Sequence, residues 1–273
     1  MIGAVPSPLD LVELPFMRTA LAELALLAVA GGVLGAWIVL SRLAFFTHAA
    51  GTATFPGLVA ADASGFSATV AGLAVALTYA GGVERAQRSG RAPGEAATAL
   101  LLVAALATGV VLASDVFHSG AVVDRLLFGT LLGLRGSDLA LAAVTAGLAG
   151  AAALLLGRTW TMLAFDPAAA PALGIPSRIA DRLLLGLVAA AVVAAIPAVG
   201  ALLVAALFVV PAASARLVTS SVSGLVAGAT ALAAAEGVVG LYLSLWLNVP
   251  PGPAVAALGS AVFAVLLLAR QVR

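Results

Sequence analysis

The sequence predicts an all-α, polytopic transmembrane helix bundle that forms a single domain over residues 1–273. Three observations predict it. Apolar residues make up 63% of the chain, charged residues only 9%, and the charges are spaced so that long stretches carry none. A soluble domain carries about 25% charge because its surface faces water. A soluble enzyme, a nucleic-acid-binding protein and a disordered scaffold are therefore excluded, and the natural surroundings of the chain are a lipid bilayer. The net charge of +1 supplies no attraction for an anionic partner. The absence of cysteine removes disulfide frameworks, thiolate metal sites and cysteine nucleophiles.

Each span follows from the need for about 20 apolar residues to cross the hydrocarbon core. Charge-free stretches run over 24–41, 63–83, 96–114 and 139–157, and a shorter one over 45–61 is interrupted only by His48. The first of these is too long for the apolar region of a cleaved leader and feeds directly into another span. Stretches 183–215 and 237–269 each exceed one helix. Pro197 with Gly200 is expected to break the former, and the run 248–253, with its three prolines, the latter. Residues 217–247 add one span, which contains the lone acid Glu236. The count is nine spans, or eight if the two stretches around Asp62 form a re-entrant pair.

The arginines then orient the bundle. With nine spans and a cytoplasmic C-terminus, Arg42, Arg85, Arg88, Arg91, Arg158, Arg178, Arg182, Arg216, Arg270 and Arg273 fall inside. Arg18, Arg125 and Arg135 fall outside, with the N-terminus. The expected location is the plasma (inner) membrane. Gly31/Gly35, Gly129/Gly133 and Gly224/Gly228 have the spacing that lets helix backbones approach closely, and packing within one subunit accounts for them.

Two connections are longer than a turn requires. The outer one, 114–138, mixes Asp115, His118, Asp124, Arg125 and Arg135 with the apolar run 126–129, as a short interfacial helix or a solvated connector would. The inner one, 158–182, holds a two-turn helix: Asp166 suits the N-cap, Pro167 the first helical position and Gly174 the stop. A short apolar helix facing the cytoplasm fits a groove on another protein.

These segments carry a family resemblance. The run Leu40-Ser41-Arg42-Leu43-Ala44-Phe45-Phe46, with Phe55-Pro56-Gly57 after it, resembles the entrance of the second helix in zinc/manganese/chelated-iron ABC transporter permeases. Leu127-Phe128-Gly129 is similar to that family's outer-loop motif, and Phe165-Asp166 with Leu173-Gly174 to its coupling helix. The stretch 200–207, closing on Pro211-Ala212-Ala213-Ser214-Ala215-Arg216, resembles its most distinctive segment. In order, the matches run from Leu14 to Ala269. The resemblance implies a type II ABC importer-like permease. Two copies would form a homodimer around a central pathway. Phe165, Asp166, Leu173 and Gly174 would couple each copy to a separate ATP-binding subunit, and an extracytoplasmic solute-binding protein would deliver the metal. The chain has no G-x-x-x-x-G-K-[ST] loop, so ATP belongs on that partner and no cofactor is expected on this one. Nor does it contain H-E-x-x-H or G-x-S-x-G, so it is expected to be a transport subunit and not an enzyme.

A divalent cation crossing the bilayer needs transient nitrogen or oxygen ligands, and imidazole suits zinc. Zinc is thus the first expectation, followed by manganese or iron. His48 and Thr52, four residues apart, share a helix face. The resembled family carries an aspartate and then a histidine at these two positions, so the carboxylate is missing here. That departure keeps open a siderophore, haem or cobalamin as cargo, and His48 also reads as a histidine bonded to a backbone carbonyl. Glu236, mid-span, is costly unless paired or facing the pathway, and it would be the coupling carboxylate of an ion-driven secondary transporter. Asp115 and His118, three apart, would sit at the outer mouth as ligands, docking contacts or a solvated pair. Glu95 is explained by its place at a helix start.

Overall fold

The structure, a computed structural model, describes residues 14–89, 94–116, 129, 133–170, 172–201 and 203–271, with only the backbone of Asp115 and Val116. Every regular element among the described residues is helical. In chain order they are α1 (Pro15–Leu40), α2 (Ala44–Ala53), α3 (Phe55–Ser64), α4 (Ala68–Arg88) and α5 (Gly94–Val111). A π-helical turn, Leu112–Val116, extends α5; then come α6 (Gly136–Phe165), α7 (Ser177–Val199), α8 (Val204–Val218), α9 (Val222–Leu247) and α10 (Pro251–Gln271). The ten α-helices occupy the nine expected stretches, with α2 and α3 sharing one. Six are long and apolar enough to cross a membrane alone: α1, α5 with its extension to Ser114, α6, α7, α9 and α10.

Local chemistry explains most of the ends. Pro15 and Pro251 open their helices, where a missing N–H costs nothing. Ser67 and Ser221 cap α4 and α9 by accepting from Val70 N and Gly224 N. Thr54 lies between α2 and α3, its hydroxyl turned back to Gly51 O at 2.6 Å, and Pro56 denies the ladder one donor.

Two expectations about boundaries are corrected. The first span begins at Pro15, not at 24, because α1 takes both Arg18 and Glu23 into its length. The inner connection is shorter than 158–182, since α6 continues to Phe165 and α7 begins at Ser177. The 183–215 stretch is broken where expected: α7 runs two residues past Pro197 and stops at Gly200, whose φ of 81° is open to glycine at little cost, and α8 begins at Val204. Asp62 is exposed on the last turn of α3, and a turn through Gly65 at φ 67° leads into the 21-residue α4.

The core is organised on α1, which packs on α9, α6 and α8, while α7 packs on α4 and α6. Glycines set the closest approaches. A Cβ on Gly31 would lie 2.3 Å from the Phe208 ring, and one on Gly35 2.5 Å from Phe208 O, so this pair packs within the subunit as expected. On the next face, a Cβ on Gly32 would lie 2.3 Å from Thr230 Cα.

At one end of the bundle two tryptophans tie three helices together. Trp37 on α1 and Trp160 on α6 meet edge-to-face at 5.3 Å. Trp37 Nε1 donates to Thr161 Oγ1 and Trp160 Nε1 to Ala180 O on α7. This is the end that carries segment 166–176, and Arg42, Arg88, Arg178 and Arg216 line its cavities. The described arginines at the opposite helix ends are Arg18, near the start of α1, and Arg135, just before α6.

Because Gly32 abuts backbone, no rotamer change can relieve a larger residue there. Gly32→Ala is expected to cost about 1–3 kcal/mol through overpacking, seen as a lower melting midpoint of the purified protein. Gly147→Ala, with nothing within 4 Å of the added carbon, should leave the midpoint unchanged.

Candidate functional site

Helix α2 carries the first pair of expected residues. His48 is half-buried and Thr52 is buried, one turn apart, and Thr52 Oγ1 donates to His48 O at 3.3 Å. The hydroxyl thus spends its proton on the helix and keeps lone pairs for other contacts. Between the two residues, Gly51 sits against the turn that joins α7 to α8. A Cβ there would stand 2.7 Å from Ala201 O, so only glycine allows this seating. Gly129 presses on the same turn from the outer connection: its Cβ would lie 2.5 Å from Gly200 N. The face bearing His48 is therefore docked beside a buried chain reversal, with the outer connection on the reversal's other side.

Glu236 lies on α9 and is 2% exposed. Its Oε2 points at Gly259 of α10, 2.7 Å from where a Cβ would be, and its Oε1 has no hydrogen-bond partner. Neither Arg216 nor a serine of the α8–α9 connection reaches it. A second such carboxyl was not anticipated. Glu23 on α1 is fully buried, and neither of its oxygens has a partner. Leu24 touches Gly237, which places the two glutamates beside one α1–α9 contact. Sequence reasoning missed Glu23 because it served there only as the edge of a charge-free window.

The expected ligands are not gathered into one cluster. His48 and Thr52 are on α2 and Glu236 on α9, both helices packing on α8. Among the described residues no three His, Asp or Glu side chains come together as a metal-holding group. His118 and the side chain of Asp115 lie outside the described residues.

Segment 166–176 is not the two-turn helix expected of it: among its described residues the chain forms turns, which keep the expected cap and stop. Asp166 Oδ1 accepts from Ala169 N at 3.1 Å, the N-cap bond. Leu173 N donates to Ala169 O, Ile175 N donates to Ala170 O, and Gly174 has φ 66°. A bond spanning five residues across a left-handed glycine is the Schellman stop. Phe165 and Leu173, at the two ends, are 66% and 64% exposed. Behind the segment is a cavity of about 590 Å³, bounded by Leu163 and Ser177 on its stems, by Ser41 and Arg42 in the α1–α2 turn, and by Glu84 and Arg88 on α4.

A multi-pass helical bundle that presents a capped apolar segment between two long helices defines a membrane permease. The chain belongs to the ABC 3 transport family, whose model matches residues 13–270. The manganese transport system membrane protein MntC of Listeria innocua is 26% identical over 258 residues, covering 94% of this chain and 92% of that protein. The chelated iron transport system membrane protein YfeD of Yersinia pestis is 24% identical over 259 residues, covering 95% and 87%. Among solved structures, PsaBC from Streptococcus pneumoniae in complex with Fab superposes with a TM-score of 0.83 at 22% identity, over 94% of this chain and 93% of that one. The likeness to that structure shows a shared fold, and membership of the ABC 3 transport family makes the chain a multi-pass membrane protein of the transporter type, not an enzyme.

An unpaired carboxyl in a membrane interior is a stability cost of about 2.5–3.5 kcal/mol on insertion scales. Glu23→Met and Glu236→Met, which keep the volume and remove the unpartnered oxygens, are each expected to raise the melting midpoint. A fall would mean that the carboxyl has a partner.

Proposed function

We propose that this protein is the permease of a binding-protein-dependent ABC importer for a divalent metal ion, with manganese ahead of zinc. The observation that carries the reading is the capped segment 166–176, with Phe165 and Leu173 bare at its ends. An exposed apolar element of this kind is the part of the chain that a separate ATPase would grip. The arginine-rich end then faces the cytoplasm, and the C-terminus with it. The change in metal order follows from the relatives named above, which carry manganese and chelated iron in their names. The α2 face with His48 and Thr52 is the cargo-facing surface of this reading, and a second copy would supply the matching face across a shared pathway. A single imidazole with a hydroxyl binds a divalent ion weakly, as a permease must if it is to release what it carries. Closure of the ATPase on nucleotide would draw the two coupling segments together and change the side on which the pathway is open.

The scattered positions of His48, Thr52 and Glu236 within one subunit favour one second reading, in which the same architecture carries a metal chelate. Uptake measured in proteoliposomes with the cognate ATPase and binding protein separates the two: labelled manganese enters in the first case, a labelled ferric chelate in the second. Either cargo must enter only with ATP, and equal uptake without nucleotide would rule out both.

Leu173→Asp is expected to lose about 2 kcal/mol of ATPase attachment, or more, as removal of a central apolar anchor does, and so to weaken co-purification by at least about tenfold. His48→Ala should leave that attachment intact and reduce manganese uptake, a combination that a purely structural histidine would not produce.

A further inference from the structure

At the wall of the cavity behind segment 166–176, Glu84 takes part in an ion pair that the sequence did not bring to notice. Glu84, near the end of α4, is only 8% exposed. Its Oε1 accepts from Arg182 Nε at 2.9 Å and pairs also with Arg88, one turn further along α4. Arg182 stands in the second turn of α7, the helix that begins as the segment ends, and it is 98 residues from Glu84 in the chain. Here the two helices are separated by the roughly 590 Å³ space, whose walls carry Ser177, Arg178 and Asp181 from α7 and Glu84, Gln87 and Arg88 from α4. Apolar packing of α4 on α7 resumes one turn beyond Arg182, where a Cβ on Gly186 would lie 3.9 Å from Leu77, and continues to Gly72 and Val193. Near the segment, the connection between them is thus polar.

From α4 contact passes on to the candidate cargo helix. Tyr79 of α4 stacks on Phe46 of α2 at 5.9 Å and 19°, two residues before His48. Tyr79 is itself held by a bond from its hydroxyl to Thr98 O on α5. Gly57 of α3 lies against α4, with Val75 2.7 Å from where its Cβ would be. A movement of α4 therefore reaches α2 through rigid aromatic and backbone contacts.

We propose that Glu84 is a positioning residue of transport: through its bond from Arg182 it fastens α4 to the exit helix of segment 166–176, so that a displacement of that segment moves α4 and, with it, α2. The proposal rests on the importer reading. A half-exposed ion pair contributes little to stability, and the role assigned to this one is mechanical. Trp160 ties α7 to α6 at Ala180, so the segment and its two stems move as one unit, and the bond from Arg182 joins α4 to that unit. Arg88 shares the Glu84 carboxylate and also faces Asp181 of α7, so it belongs to the same α4–α7 connection.

The test measures manganese moved per ATP hydrolysed, in proteoliposomes holding the permease with its cognate ATPase and binding protein. Glu84→Gln and Arg182→Gln are each expected to lower that ratio at least fivefold while ATP hydrolysis continues and the complex stays assembled on gel filtration. The double variant should be no worse than either single one, since both remove the same bond. A wild-type ratio in Arg182→Gln, whose side chain is 61% exposed and whose loss does not threaten folding, would overturn the proposal. So would a double variant whose defect is the product of the two. If the unaltered complex shows no nucleotide-dependent uptake, the importer reading itself fails, and the anchor with it.

Discussion

Close backbone approach along α1 is the constraint on which the rest of this bundle depends. Lipid tails are as apolar as leucine, so helices in a bilayer gain no hydrophobic energy by meeting and must be held by dispersion and hydrogen bonds. Dispersion falls steeply with distance. The way to increase it is to remove side chains at the contact, as Gly31, Gly32 and Gly35 do against α8 and α9. With α1 placed, α6 is located through Trp37 and Trp160, and α7 through the bond from Trp160 to Ala180. The reversal at Gly200 and the docking of α2 on it follow from that placement.

Polar groups obey the same economy. In a medium without water each hydroxyl must find its acceptor nearby, and here Thr47, Thr52, Thr78, Thr108 and Thr145 donate to carbonyls of their own helices. Against that background the orphaned oxygens of Glu23, Ser214 and Glu236 stand out. They lie on α1, α8 and α9, three helices that pack on one another. Glu23 and Glu236 lie beside the contact of Leu24 with Gly237, and Ser214 lies several turns away, next to the part of α8 that meets Gly35.

Much of the architecture was legible because its signals are local. Spans are bounded by charges and prolines within one stretch of chain, and the segment after Phe165 is specified by a cap residue and a left-handed glycine eight positions apart. Such features depend on neighbours in sequence. Contacts between distant residues were not legible in the same way. Arg182 and Glu84 read as ordinary charges at helix ends until the fold places them together, and Gly51 gives no hint that Ala201 will lie against it. Glu23 was hidden for a different reason: a charge used to delimit an apolar window cannot also be noticed inside the helix. Pro197 illustrates how near such local rules come, since α7 continues only two residues past it before the break falls at Gly200.

The length of α6 has a geometric consequence. Thirty residues at about 1.5 Å each give a rod of about 45 Å, whereas the hydrocarbon layer is only about 30 Å deep. If the Gly136 end is level with the far face of that layer and the rod pivots near its middle, the tip at Phe165 lies about 30 Å from the pivot and swings about twice as far as the point where the rod leaves the lipid. A tilt of about 5° then carries the tip through about 2.6 Å while the membrane boundary shifts by about 1.3 Å. The overhang works as a lever, trading force at a protein handle for small, strong displacements among helices that the bilayer otherwise holds still.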